Sequence, residues 1–253
     1  MVVSTAVKSH NKINVKAMKA IQNDASNEND IATYRRIRVA IGILGIGLPI
    51  ALLVLPLFPF LETSIQGSIS QYYYSNLRDL FTGVLCAVGL FLIRYKGHKS
   101  SKIWENDSLL TNIAGYMAFG IALFPTGPDE CSQKIYTLFP YCYSLLGIAH
   151  YVFAAIFFSV LSLISIKVFT IGQEENKGIP VSYLNENKIY RICGYLMLFC
   201  IIMMPVFDVF KVSYSTLILE ALTLFSFGIS WLIKGRVLGD KGKIGEKLYR
   251  EKN

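Results

Sequence analysis

Long apolar runs separated by short polar segments constrain this chain more than any other feature of its sequence. Hydrophobic residues make up 53% of the 253 positions and charged residues 17%, and the mean hydropathy is +0.44. A soluble domain carries about a quarter charged residues, spread along its sequence, whereas here the charges lie in the tails and short loops. A bilayer core of about 30 Å requires roughly 20 apolar residues as helix. The sequence therefore predicts an all-α, polytopic membrane protein.

The predicted domain organisation follows from six such runs, which we expect to form a single six-transmembrane-helix bundle. The runs are residues 37–58, 77–93, 109–124, 144–169, 189–207 and 215–233. The bundle would occupy residues 34–236, between a polar cytoplasmic tail at residues 1–33 and a basic cytoplasmic tail at residues 237–253.

Small residues within the runs predict where helices approach each other closely. Gly42, Gly45 and Gly47 lack the spacing of a dinucleotide-binding fingerprint and follow no predicted strand, so close helix packing is the better interpretation. Gly83 and Ala87 lie one turn apart in the second run and predict a second face of this kind.

The positions of Lys and Arg predict the orientation of the bundle, because cytoplasmic loops are enriched in these residues. With six alternating spans, the two tails and the second and fourth loops share one side, which holds most of the basic residues. The opposite side holds only Arg78, Lys134 and Lys211. Both termini are therefore predicted to be cytoplasmic.

The net charge of +8 does not indicate nucleic-acid binding, because of where the charges lie. A nucleic-acid-binding protein clusters its basic residues on one folded face, whereas these residues flank the apolar runs as a membrane topology requires. The predicted partners are membrane lipids, together with a small-molecule or lipid ligand. The sequence does not indicate an oligomeric state.

The five cysteines fall into two groups. Cys131 and Cys142 share the predicted third loop on the outer side, where an oxidising compartment permits a disulfide; the bonded and the free form both remain open. Cys86, Cys193 and Cys200 fall within the runs and are interpreted as buried apolar residues. The Cys and His spacings indicate no metal site, and no cofactor is predicted.

Ionisable residues in or at the ends of membrane spans are costly, and therefore informative about function. In the predicted topology five of them fall at similar depth near the outer side: Arg78, Asp79, His150, Asp208 and Glu220. We expect Arg78 to balance one or more of the carboxylates, with His150 as a titratable donor or acceptor. The segment 68–95 would then form one wall of an outward-facing polar pocket.

Each of these residues also has a purely structural interpretation. Arg78 and Asp79 can cap the second helix at the membrane interface, where Asp79 interacts favourably with the helix dipole. His150 can be a hydrogen-bonded packing residue. For Glu220 the functional interpretation is favoured most strongly, because this residue lies deepest in an apolar run. The run Tyr72 to Tyr74 is interpreted as an interfacial aromatic belt.

The segment Ser68-Ile69-Ser70, followed by a helix with Arg78 and Asp79, resembles the DUF998 and Frag1/DRAM/Sfk1 group of small six-helix membrane proteins. The similar hydropathy pattern extends over most of the chain, although the tyrosines after Ser70 depart from the turn expected there. The resemblance implies six helices, cytoplasmic termini and a lipid-linked role.

Three functions remain open at this point. The pocket could bind or transport a lipid headgroup or small solute. The chain could instead be an intramembrane enzyme acting on a lipid, with Asp79, His150 and Glu220 as acid/base groups and Ser70 or Ser75 as nucleophile. It could also be a structural or signalling scaffold. The bias toward Ile, Lys and Asn and the small size favour a bacterial inner membrane.

Overall fold

The computed structural model describes residues 29, 32–95, 97, 100–127, 137–140, 142–171 and 186–237. These residues form helices and connecting turns, without a strand among them. The helices are α1 (Ala32–Leu57, whose last turn is 3₁₀), α2 (Arg78–Arg94), α3 (Asp107–Leu123), α4 (Ser144–Leu163, continued by a π-helical turn at Ile164–Val168), α5 (Glu186–Val209) and α6 (Ser215–Lys234). Most of the two predicted tails lies outside the described residues.

The all-helical prediction is confirmed, and each helix coincides with one predicted apolar run. Four segments, at α1, α4 with its π-helical turn, α5 and α6, are long and apolar enough to cross a membrane. They indicate an integral membrane protein. Both α2 and α3 have 17 residues, or about 25 Å of helix, which is shorter than a typical bilayer core. The number of crossings therefore stays a prediction.

Glycines set the distances between neighbouring helices. A Cβ atom on Gly228 of α6 would lie 2.8 Å from the carbonyl oxygen of Gly42 on α1. Likewise, a Cβ on Gly115 of α3 would lie 2.8 Å from the carbonyl oxygen of Gly89 on α2. These positions tolerate no side chain without movement of the backbone, so glycine is required for the observed helix spacing.

Two of the small residues predicted to mediate helix packing do not do so. Atoms built at the Cβ positions of Gly47 and Gly83 have no neighbour within 4 Å. Both glycines lie in apolar helices, but each is on a side of its helix that no other described helix contacts. In α2 the close approach is made instead by Gly89, because that residue lies on the buried side with Leu85 and Leu92.

The helices follow one another around the bundle, and α6 closes it by packing against both α5 and α1. We call the end at which α1 begins and α6 ends the inner end, and the opposite end the outer end. At the inner end the fully buried Trp231 makes edge-on contacts with Tyr95 and Phe169. The largest aromatic cluster of the described core therefore lies at the inner end, leaving the outer half more open.

Candidate functional site

A cavity of about 520 Å³ lies in the outer half of the bundle, mainly between α2, α4, α5 and α6. Its wall is mostly apolar, with Phe81 and Leu85 from α2, Phe158 from α4 and Leu224 from α6. Six polar or titratable side chains also line it: Ser70, His150, Tyr151, Asp208, Thr216 and Glu220. Three of the five residues predicted from the sequence thus come together.

Glu220 connects α6 to the segment that precedes α2. Its carboxylate accepts hydrogen bonds from the backbone N–H of Ile69 and from the hydroxyl of Ser70, whose Oγ lies 2.9 Å from Oε1. These donors lie at the start of the 3₁₀ helix Ser70–Tyr74, where backbone N–H groups have no partner within the helix. The carboxylate therefore caps this short helix and positions it against α6.

A second contact positions the same segment. The backbone N–H of Leu217 in the first turn of α6 donates to the carbonyl oxygen of Gly67 over 3.0 Å. Further along α6, Thr223 and Ser230 face the bundle interior and are fully buried. The orientation of α6 thus places Glu220 in the cavity wall.

His150 is completely buried, on the first half of α4. Its Nδ1 lies 2.7 Å from the carbonyl oxygen of Phe124, just beyond the end of α3. A carbonyl oxygen only accepts hydrogen bonds, so Nδ1 carries a proton, and in the neutral ring Nε2 is an acceptor. Nε2 has no hydrogen-bond partner among the described residues. Nε2 is itself buried, so it lies within the cavity wall and is not exposed to the cavity.

The cavity opens sideways between the outer halves of α4 and α5. Tyr151 and Ala155 on α4, and Pro205 and Asp208 on α5, line the cavity and are themselves exposed. In the inner half the two helices are held together, since Ser162 Oγ donates to the carbonyl oxygen of Gly194 over 2.7 Å. The mouth thus faces the side of the bundle, where lipid would lie in a membrane.

A small hydrogen-bonded group borders the mouth. The buried Thr126, which follows α3, donates from Oγ1 to the Tyr151 hydroxyl over 3.2 Å. The hydroxyl of Tyr74 donates to the carbonyl oxygen of Thr126. These bonds connect the segment before α2 with α3 and α4, so the rim of the cavity is fixed from three sides.

Arg78 and Asp79, the other two predicted site residues, do not line the cavity. The Asp79 side chain is 97% exposed, and its Oδ1 lies 3.9 Å from Nε of Arg78. The residues of α2 that reach the cavity are Phe81 and Leu85, and Arg78 lies about one turn beyond them toward the outer end. Of the carboxylates that Arg78 was predicted to balance, Asp79 is therefore the one within ion-pair distance, whereas Asp208 and Glu220 line the cavity.

The interpretation of the three tyrosines as an interfacial belt is also wrong for two of them. Tyr72 and Tyr73 are 0% and 4% exposed. Burial raises the pKa of Tyr72, so its hydroxyl stays protonated at neutral pH. The 3₁₀ helix turns these side chains into the protein, an outcome that a run of tyrosines next to an apolar helix does not predict.

A buried polar network at the inner end was not predicted from the sequence. Arg38 donates from Nη2 to the Tyr95 hydroxyl over 2.5 Å, and burial, followed by the nearby Asp107 carboxylate, raises the pKa of Tyr95. Lys234 Nζ donates to the carbonyl oxygen of Phe169 over 2.8 Å. These groups lie at the ends of apolar runs, where charges are common. Only the packing of the helix ends shows that Asp107 is buried, at 5% exposure.

The states of the cysteines in the structure agree in part with those predicted from the sequence. Cys193 and Cys200 are buried free thiols, as predicted, and Cys86 is a half-buried one. Cys142 is disulfide-bonded. Cys131, the partner predicted for it, lies outside the described residues, so this pairing stays a prediction.

Comparison of the chain with protein-family models, with curated proteins and with solved structures finds no match. The class of protein therefore follows from the molecule itself: an all-helical chain with four helices of membrane-spanning length and a side-opening cavity in its outer half. The resemblance to the DUF998 and Frag1/DRAM/Sfk1 group stays a prediction.

Proposed function

We propose that this chain is a six-span membrane protein whose outer cavity binds an amphiphile, such as a lipid headgroup with its chain or a small amphiphilic solute. The observation that carries the proposal is the combination of an apolar cavity, a group of polar atoms within it and a mouth between α4 and α5. A volume of about 520 Å³ lies within the usual range of ligand pockets.

The membrane arrangement is part of the same proposal. Four helices have spanning length, and local thinning of the bilayer accommodates the two shorter, 17-residue helices α2 and α3. The Lys and Arg distribution supports a cytoplasmic inner end and cytoplasmic termini. A bacterial inner membrane and a likeness to the DUF998 and Frag1/DRAM/Sfk1 group are the corresponding proposals for location and family.

Blocking the cavity tests the binding function. Ala154 on α4 lines the cavity, so Ala154→Trp would fill much of it. Val152, on the same helix, is 50% exposed and does not line the cavity, so Val152→Trp is the matched control. We expect amphiphiles to co-purify with the wild type and with Val152→Trp, and to be lost from Ala154→Trp, as measured by mass spectrometry of the purified proteins. Equal amounts in all three proteins would contradict the proposal.

A second candidate function has one specific observation in its favour. The Ser70 hydroxyl donates to Glu220 over 2.9 Å, and a carboxylate acting as base can activate a serine nucleophile. Asp79 is too exposed to take part, which leaves Glu220 and His150 as acid/base groups. Hydrolysis of a lipid ester or amide by the purified protein, abolished in Ser70→Ala, would favour an intramembrane enzyme over a binding protein.

A further inference from the structure

The polar atoms of the outer cavity indicate which headgroup it accepts. We propose that the cavity selects amphiphiles whose headgroup is an amine, a cationic group rich in hydrogen-bond donors. This inference rests on the proposed binding function and specifies its ligand class. It follows from the kinds of polar atoms in the cavity and from their charges.

The ionisable groups that line the cavity are two carboxylates, Glu220 and Asp208, the imidazole of His150 and the phenol of Tyr151. Among the described lining residues none is Lys or Arg. The nearest basic residue along the chain is Lys211, three positions after Asp208; it is exposed and does not line the cavity. Arg78 lies outside the cavity beside Asp79. The lining is therefore acidic.

Hydrogen-bond acceptors also exceed donors in this lining. Three donors, the N–H of Ile69 and the hydroxyl and N–H of Ser70, occupy the carboxylate of Glu220, and an ionised carboxylate has about four acceptor sites. Acceptor capacity therefore remains on Glu220 after its structural role is filled. A ligand that supplies several N–H donors satisfies the remaining acceptor sites of the Glu220 and Asp208 carboxylates.

An amine fits this site better than the other common headgroups. A phosphate or carboxylate would place like charges together where little water screens them, which is strongly unfavourable. A hydroxyl supplies only one donor. An ammonium group supplies three donors and a compensating charge, and the apolar wall around Phe81, Leu85 and Leu224 accommodates its hydrocarbon chain.

Three probes with the same 14-carbon chain test the headgroup: tetradecylamine, tetradecanol and tetradecanoate. Each is titrated into the purified full-length protein in phosphatidylcholine nanodiscs, and binding is measured from the rise in the thermal unfolding midpoint. We expect the amine to bind about tenfold or more tightly than the alcohol, the range given by one charge-assisted hydrogen bond, and the acid to bind more weakly than either.

Matched variants assign the preference to the cavity. Glu220→Gln removes the charge but keeps an acceptor for Ser70, and we expect it to reduce the preference for amine over alcohol about tenfold. Asp208→Asn removes the charge of the second carboxylate and should also reduce the preference for amine over alcohol. Because Asp208 is exposed, this substitution should not affect folding. Asp79→Asn, an exposed carboxylate outside the cavity, should leave the preference unchanged.

The failures of the two proposals are distinguishable. If the three probes bind equally, or the acid binds best, and Ala154→Trp abolishes this binding, the amine assignment is overturned while the binding function stands. If Asp79→Asn reduces the preference as much as Glu220→Gln does, the effect is one of surface charge and the assignment is likewise overturned. If Ala154→Trp changes none of the titrations, the binding function itself fails.

Discussion

A carboxylate inside an apolar helix must be matched by hydrogen-bond donors, and Glu220 finds them in the segment before α2. One side chain thereby combines a structural and a chemical role. It caps the 3₁₀ helix Ser70–Tyr74 and also places an acidic group in the cavity wall. The functional and structural interpretations of this residue, which compete when only the sequence is considered, are compatible in the folded protein.

At the residue scale we predict that Glu220→Ala destabilises the protein. It leaves the N–H of Ile69 and the hydroxyl of Ser70 without their acceptor, a loss of about 1–3 kcal/mol in the free energy of unfolding. Glu220→Gln should lose less, because its amide oxygen still accepts. Denaturant unfolding in nanodiscs measures both, and Asp79→Ala at a 97% exposed side chain serves as the control. Equal stability of Glu220→Ala and Asp79→Ala would refute the capping role.

At the scale of elements, helix packing depends on which side of a helix each small residue occupies. Gly228 and Gly83 are both glycines in the interior of apolar helices. The first lies against α1, and the second faces open space. The sequence does not distinguish them, because α1 and α6 are far apart in the chain and their relative rotation is set by packing.

This difference predicts opposite effects of the same substitution. Gly228→Ala would place a Cβ 2.8 Å from the Gly42 carbonyl oxygen, and the resulting overpacking should destabilise the protein by about 1–3 kcal/mol. Gly83→Ala meets no neighbour within 4 Å and should be neutral or stabilising by up to about 1 kcal/mol through helix propensity. Thermal unfolding of the two variants checks the prediction, and similar midpoints would contradict it.

At the scale of the whole molecule, the bundle is closed tightly at its inner end and open at its outer end. Trp231, Tyr95 and Phe169 fill the inner half, and the π-helical turn at Ile164–Val168 extends α4 into that region. The cavity occupies the outer half and opens between α4 and α5. If the inner end is cytoplasmic, the cavity receives its ligand from the outer part of the bilayer.

Cysteine labelling tests this orientation. Asp79 near the outer end is 97% exposed and Lys102 near the inner end is 58% exposed. We expect a membrane-impermeant maleimide to label Asp79→Cys in intact cells, and Lys102→Cys only after permeabilisation. The wild-type chain gives the background from native thiols. The reverse pattern would invert the topology, and labelling of both in intact cells would rule out an odd number of spans between them.

The sequence by itself determined the helices, because apolar composition over a helix-length run is a local property that all six runs display. The run 144–169 and the helical segment Ser144–Val168 differ by a single residue. The sequence also indicated Glu220 and His150, since polar groups in apolar runs stand out.

Only the tertiary structure decided which of the polar residues meet. Arg78 and Asp79 share the approximate depth of Glu220, but they lie outside the cavity, while Ser70 and Thr216 line it. From the sequence, Asp107 at the inner end is an ordinary charged residue at a helix end, but in the structure it is buried. The physical reason is that the depth of a residue in the membrane follows from its position along the helix, which the sequence gives. The direction of its side chain depends instead on how the helix is rotated. That rotation is fixed by contacts between distant parts of the chain, such as Gly42 with Gly228.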